Sequence, residues 1–318
     1  SLKIVIHSLN MIWNPSEGIS IGSFTLRFYS LMFVVAFSLG YFIMKKIYTR
    51  ENRTQDELDK LFMYTFIATL LGARLGHVFF YDWNYYKNHL SEILLPFRFT
   101  PEFEFTGFAG LASHGAAVGI IAAMIYYNKK VIIDRPLLWI LDRVVLSVTI
   151  GGVFVRLGNF FNSEIYGHIV DKNFPFGIKF IREDEFWKGK NIFEMTETNN
   201  LKQAYHLIQN DPRFAHILEA IPYRHPTQLY EAFGYVLLFI VLFFMYWKTD
   251  ARNYLGKIFG VFLVFLWTIR FVVEYVKESQ GGFEASLGML STGQWLSIPF
   301  IIAGIYIWAT AKKRPYIK

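Results

Sequence analysis

The stretch His225-Pro226-Thr227-Gln228-Leu229-Tyr230-Glu231-Ala232-Phe233-Gly234-Tyr235-Val236-Leu237-Leu238-Phe239-Ile240-Val241-Leu242-Phe243-Phe244-Met245-Tyr246-Trp247 decides the fold class. From Ala232 onward it carries no charge, and with its polar opening string it reaches the ~20 residues that cross a bilayer core as a helix. Pro226 is a normal helix start, because the N–H it lacks would go unpaired there in any case. Working outward, seven such apolar blocks can be read, at residues 24–47, 61–80, 107–127, 137–161, 227–247, 255–276 and 293–310. The pattern predicts an all-α, polytopic membrane protein of seven transmembrane helices. One membrane domain would span residues 1–318, interrupted by a small extramembrane head at 166–223.

The composition agrees. Of 318 residues, 53% are hydrophobic, 19% aromatic and only 18% charged, against roughly 25% charged in a soluble domain. Mean hydropathy is +0.30. Disorder, collagen and a long coiled coil are excluded on the same grounds. The chain has no cysteine, so it holds no disulfide, thiolate metal site or cysteine nucleophile of its own. The net charge of +7 is read as loops facing anionic lipid, with no nucleic-acid partner. Residues 1–13 lack the basic region, long apolar core and small-residue cleavage site of a signal peptide, so no cleavable leader is expected.

Loop charges give an orientation. Lys45, Lys46, Arg50, Arg53 and Lys60 follow block one; Lys129, Lys130 and Arg135 follow block three. Lys248, Arg252 and Lys257 follow block five; Lys312, Lys313, Arg314 and Lys318 follow block seven. The opposite short loops carry far fewer, with Lys87, Arg98 and Lys277 among them. The positive-inside rule then places the N-terminus outside and the C-terminus in the cytoplasm. Two outward segments are more than loops. Residues 81–106 contain Leu90-Ser91-Glu92-Ile93-Leu94-Leu95-Pro96-Phe97, too short to span and suited to lying along the interface. Residues 166–223 are long and mixed in charge, the candidate head.

Charged side chains inside spanning segments are costly and point to function. Here they gather at outward helix ends. Block four closes with Arg156-Leu157-Gly158-Asn159-Phe160-Phe161-Asn162-Ser163-Glu164-Ile165-Tyr166-Gly167, where Arg156, Asn159 and Asn162 share a helical face. Block six ends with Arg270 and Glu274, an i,i+4 pair of opposite charge. Gln228 and Glu231 share a face at the start of block five. His114 stands between small residues at the start of block three. Arg74, deep in block two, needs a partner, and Glu164 and Glu274 are both open. Tyr29 sits near the outer end of block one, where an aromatic belt is the ordinary reading. Each cluster also has a structural reading: snorkelling for Arg156, a mutual salt bridge for Arg270 and Glu274, capping for Pro226 and Thr227.

Arg156 to Gly167 closely resembles the signature Gly-Arg-x-Gly/Ala-Asn-Phe-apolar-Asn-x-Glu-x-x-Gly of the prolipoprotein diacylglyceryl transferases, with Val155 replacing the first Gly. His225 to Glu231 resembles the family's His-Pro-Ser/Thr-Gln-Leu-Tyr-Glu string. Ser113-His114-Gly115, Arg270 to Glu274 and Gly293 to Pro299 resemble further family segments, with departures at Ser30 and Ser113. The resemblance covers almost the whole chain. It implies a seven-helix bundle in the bacterial inner membrane. It also implies transfer of the diacylglyceryl group of phosphatidylglycerol to the lipobox cysteine of a preprolipoprotein signal peptide, with release of glycerol 1-phosphate. No cofactor and no metal are implied. Arg156 and Arg270 suit the phosphate, supported by Asn159 and Arg74. His114 is the candidate base for the thiol, with Glu274 as rival. Tyr29, Asn162, Glu164, Gly167, Gln228 and Glu231 are assigned to binding and shaping the site. A lipid flippase or transporter is the rival class, against which stands the lack of an inverted repeat. A membrane scaffold would leave the buried charges without a role.

Overall fold

The computed structural model describes residues 11–94, 97–98, 104–105, 113–277 and 289–314. Residues 1–10, read above for a leader, and 106–112, where block three was expected to begin, lie outside the described residues. The chain is mostly helical. Each of the seven apolar blocks carries a helix: Phe28–Arg50, Gln55–Phe80, Ser113–Lys130, Leu137–Phe161, Thr227–Lys248, Lys257–Glu274 and Thr292–Ala309. Five are long and apolar enough to cross a membrane: the first, second, fourth, fifth and seventh. Ser113–Lys130 and Lys257–Glu274, at 18 residues each, are not among those five, and both carry charged residues.

Large apolar side chains stand exposed along the helices while several ionic groups lie buried. Val34, Ile240, Phe244 and Ile302 are 57–62% exposed on helix faces, while Asp142, Arg143, Gln228 and Glu231 are at most 1% exposed. Bare apolar faces of this kind call for lipid, and buried ionic groups call for partners.

The all-α expectation needs correction, because short strands occur and one sheet has four of them. Met11–Trp13 runs parallel to Ile178–Phe180, which pairs antiparallel with Tyr223–Arg224, and that strand pairs with Ile169–Val170. Block one was placed four residues early: Phe24–Arg27 is a strand paired with Gly18–Ile21, and the helix starts at Phe28. An apolar run does not by itself distinguish a strand from a helix start.

The chain divides into two compact units. The first comprises Ser1–Ala36, Gly152–Phe233 and Tyr275–Glu278, the second Phe37–Gly151, Gly234–Glu274 and Ser279–Lys318. In the first, short helices Leu201–Asn210 and Ala215–Ala220 close a core of Ile181, Ile192, Ala204, Tyr205, Ile208, Ile217 and Ile221. A second core joins Phe160 at a long-helix end to Tyr166, Ile178 and Phe180, with Trp13 stacked on Phe160 at 4.2 Å. The Trp13 indole donates to the Phe160 carbonyl at 2.8 Å, so the strand and the helix end are tied together.

In the second unit, helices Gln55–Phe80 and Ser113–Lys130 approach closely through small residues. A Cβ added at Gly119 would lie 2.7 Å from the Ala68 carbonyl oxygen. Such contact is how helices associate where no hydrophobic effect separates lipid from protein. The basic loops are also tied down. Arg143 makes a forked pair with Glu51 at 2.6 and 2.7 Å, and Tyr246 donates to the same carboxylate at 2.6 Å. Asp142 accepts the backbone N–H groups of Gly256 and Phe259, both at 2.9 Å, and so caps the helix starting at Lys257. Thr54 and Glu57 form a reciprocal capping box, while Arg53 bridges Glu57 and Asp134.

Gly119→Leu should lower the unfolding midpoint in detergent by an amount equivalent to about 1–3 kcal/mol, the usual cost of overpacking. Val118→Ala, beside it but 58% exposed, should stay within about 0.5 kcal/mol of the parent. Equal midpoints for the two variants would contradict the close approach.

Candidate active site

The helix Leu137–Phe161 ends in a turn that the backbone adopts only under strain. Ser163 and Ile165, on either side of Glu164, have φ of 52° and 59°. A β-branched residue in the left-handed region is a genuine outlier and costs on the order of 1–3 kcal/mol. The string at the start of the Thr227–Lys248 helix holds it there. Thr227 Oγ1 donates to the Ile165 carbonyl at 2.7 Å, and Gln228 Nε2 to the Glu164 carbonyl at 2.7 Å. The Gly167 N–H donates to the His225 carbonyl at 2.8 Å. Gly167 is required by crowding: a Cβ there would fall 2.4 Å from the His225 Cβ and 2.6 Å from the Val276 oxygen. Thus the two most distinctive sequence motifs are one structure, a strained turn clamped by a helix start.

Side chains converge inside that turn. Arg156 Nε meets Glu231 Oε2 at 2.8 Å, and Arg156 Nη1 donates to Asn159 Oδ1 at 3.0 Å. Asn159 Nδ2 continues to Glu164 Oε1 at 2.9 Å, and Asn162 reaches the same oxygen at 3.4 Å. Burial pushes the Glu164 carboxyl above the usual carboxylate range, although the two asparagine amides and the Arg156 charge pull it down. Arg156 and Glu231 are 5% and 1% exposed. Tyr29 lays its ring on the helix beside them, where a Cβ on Gly158 would come within 2.9 Å of Tyr29 Cδ2.

Sequence reasoning missed Lys277. It was counted only as an outward loop charge, yet it is 6% exposed and its Nζ lies 3.6 Å from Glu231 Oε1. An isolated bridge between Gly167 and Lys277 and the His168 N–H bonded to the Val276 carbonyl at 2.7 Å bring that segment to the turn. No spacing rule could have found it, because it follows the sixth block alone. Behind the turn, Arg224 pairs with buried Glu183 and donates to the Gly167 carbonyl at 3.2 Å, bracing it from the sheet side.

The second unit holds the remaining candidates. His114 is 3% exposed, stacks on Trp267 at 4.5 Å between ring centroids and lies 3.4 Å from Ser297 Oγ through Nε2. Arg270, one turn along the same helix as Trp267, is 5% exposed, sits 5.5 Å from the Trp267 ring centre and approaches the Tyr235 hydroxyl at 3.5 Å. The Glu274 carboxylate lies against Gly293, whose notional Cβ would fall 2.8 Å from it. Arg74 donates to the carbonyls of Ile93 at 3.0 Å and Glu92 at 3.1 Å, partners that neither sequence candidate, Glu164 or Glu274, anticipated. The structure therefore brings Arg156, Asn159, Asn162, Glu164, Gly167, Gln228, Glu231 and Tyr29 into one unit, and His114, Arg270, Glu274 and Arg74 into the other.

The profile of the prolipoprotein diacylglyceryl transferase family matches residues 17–310. A Bacteroides fragilis protein named phosphatidylglycerol–prolipoprotein diacylglyceryl transferase is 34% identical over 313 residues, covering 98% of both chains. Its namesake in Porphyromonas gingivalis is 36% identical over 293 residues, covering 90% of this chain and 89% of its own. That of Tolumonas auensis is 33% identical over 304 residues, covering 95% and 98%.

The clamp makes opposite predictions for two neighbouring positions. Gly167→Ala should destabilise the protein by more than about 1 kcal/mol, because backbone blocks the new methyl. Ile165→Gly relieves the left-handed strain and should cost no more than about 1 kcal/mol despite the lost side chain. Thermal unfolding of both in detergent checks this, and a Gly167→Ala variant as stable as the parent would contradict the geometry.

Proposed function

We propose, since this chain belongs to the prolipoprotein diacylglyceryl transferase family, that it moves the diacylglyceryl group of phosphatidylglycerol onto a prolipoprotein, the first step of lipoprotein maturation. The acceptor is the lipobox cysteine of a preprolipoprotein signal peptide. The observation that carries this reading at the level of residues is the chain Glu231–Arg156–Asn159–Glu164, buried up to Asn159 and built from the two motifs that carry the family resemblance.

The chemistry sets three demands. A thiol proton leaves, the sulfur attacks the glycerol carbon, and the carbon–oxygen bond to phosphate breaks, so that glycerol 1-phosphate departs with the electron pair. The growing charge on the departing phosphate needs fixed donors in a site sheltered from water. Arg156 fills that role, held in place by Glu231, and Arg270 is the second cation. Guanidinium suits it because its fork matches two phosphate oxygens. The thiolate is the nucleophile, and His114, stacked on Trp267, is the base, since an imidazole titrates near neutral pH. Glu274 and Tyr29 line the substrate's path, Asn162, Gly167 and Gln228 keep the turn in shape, and Arg74 braces the segment after its own helix.

The same reading completes the topology. Ser113–Lys130 and Lys257–Glu274 add two spans to the five apolar helices. The N-terminus faces the periplasm and the C-terminus the cytoplasm of a bacterial inner membrane, and the sheet with its short helices stands in the periplasm. The basic residues after alternate helices support this orientation.

Labelled phosphatidylglycerol and a lipobox peptide in proteoliposomes test the function. The parent protein should label the Cys peptide, leave a Ser peptide unlabelled and release glycerol phosphate. Arg156→Ala and Arg270→Ala should each lose at least about 100-fold in turnover, and Arg156→Lys, checked for an unchanged unfolding midpoint, should remain well below the parent. His114→Gln should lose about 100-fold or more. Parent-level turnover in Arg156→Ala would remove the phosphate role, and equal labelling of the Ser peptide would overturn thioether formation.

A further inference from the structure

Residues 18–27 form a two-stranded hairpin with two chemically distinct faces. Its register pairs Gly18 with Arg27, Ile19 with Leu26, Ser20 with Thr25 and Ile21 with Phe24. Directly opposed residues share a face and alternate residues along a strand change face. One face is therefore Ile19, Ile21, Phe24 and Leu26, and the other Gly18, Ser20, Thr25 and Arg27. The apolar face is bare: Ile19, Ile21 and Phe24 are 51%, 63% and 64% exposed. The turn is Gly22-Ser23, with Gly22 at φ 62°, the first central position of a tight hairpin turn that favours glycine.

The hairpin is fixed to a membrane-crossing element. Strand Phe24–Arg27 runs into helix Phe28–Arg50 without an intervening residue. The Phe28 N–H donates to the Glu17 carbonyl at 3.0 Å, which extends the ladder onto the first residue of the helix. A four-residue strand is about 13 Å long, so the whole hairpin stays within the thickness of a headgroup layer and its acyl boundary once the helix spans. The helix itself turns bare apolar side chains such as Val34, 61% exposed, outward.

We propose that this hairpin is a membrane-surface anchor that lays Ile19, Ile21, Phe24 and Leu26 into the outer boundary of the bilayer and keeps Arg27 at the level of the lipid phosphates. The occupant of the bare face is lipid. The amphipathic division, the continuity with the spanning helix and the cation on the opposite face are what an interfacial element requires. Tyr29 follows Arg27 by two residues, so the anchor lies beside the residue that packs on the Arg156 helix at Gly158. It thereby fixes the depth at which a lipid headgroup meets that helix. The proposal rests on Phe28–Arg50 spanning the bilayer and stands apart from the identity of the acceptor.

Because the chain has no cysteine, single-cysteine variants of the full-length protein carry a unique environment-sensitive fluorophore. Ile21→Cys, Ser20→Cys and Val34→Cys are reconstituted in phosphatidylcholine–phosphatidylglycerol vesicles containing lipids with a nitroxide near the top of the acyl chain. The Ile21 probe should be blue-shifted and quenched by the lipid nitroxide at least about twofold more than the Ser20 probe, which faces the headgroups and water. Aqueous iodide should reverse that order. An Ile21 probe open to iodide and untouched by lipid, with the Val34 probe quenched, overturns the anchor while leaving the span intact. An Ile21 probe whose burial disappears as protein is diluted into excess lipid overturns it in favour of a second copy on the face. A Val34 probe that lipid does not reach overturns both the anchor and the span beneath it.

Discussion

A guanidinium 5% exposed at the end of an apolar helix exists only because a carboxylate meets it. Arg156 and Glu231 lie 2.8 Å apart with both side chains out of solvent. Removing either partner of such a pair leaves an uncompensated charge at a cost of about 3–5 kcal/mol. The pair also sets geometry, since it fixes which way Arg156 points and, through Asn159, where Glu164 sits. Lys277 on the other oxygen of Glu231 makes the carboxylate the centre of the cluster. On the proposed function, the pairing places the phosphate-binding group beforehand, so that little reorganisation is left for the moment of reaction.

The strained turn follows from the same constraint. Glu164 reaches Asn159 only because the chain reverses within a few residues of Phe161, and the reversal puts Ser163 and Ile165 in the left-handed region. The hydroxyl of Thr227 and the amide of Gln228 stabilise that conformation from a helix more than 60 residues later. Strain at a site persists where the surroundings over-determine it, and here two motifs distant in sequence do so together. Both Thr227 and Gln228 are wholly buried, which explains why capping alone could not account for the string.

Much of this was legible beforehand. Apolar blocks of spanning length located the seven long helices among the described residues, because in lipid the backbone must satisfy itself and leaves little choice but helix. The polar clusters were legible for the opposite reason: a charge is expensive in an apolar run and stands out. What was missed depends on contacts across the chain. Lys277 looks like any loop lysine until a distant carboxylate is placed beside it. Arg74 finds backbone carbonyls in the segment following its own helix, and carbonyls leave no trace in a residue pattern. The second strand of the hairpin, Phe24–Arg27, was absorbed into the first block because four alternating residues are too few to separate strand from helix. The parallel pairing of Met11–Trp13 with Ile178–Phe180 joins residues 167 apart and lies beyond local signals.

The fold and the chemistry therefore share one set of interactions. The groups that let Arg156 stay buried are those that aim it, so on the proposed function stability and activity are coupled at this position rather than traded against one another. A double-mutant cycle on Arg156→Met and Glu231→Gln, read as unfolding free energy in detergent, measures that coupling most directly. The account predicts that the two substitutions are strongly non-additive, with a coupling of about 1.5 kcal/mol or more, because each single change removes the nearest opposite charge from the other side chain, Lys277 standing farther from Glu231 at 3.6 Å. Additivity within about 0.5 kcal/mol would show that the two residues do not depend on each other, and the proposed role of the pair would fail.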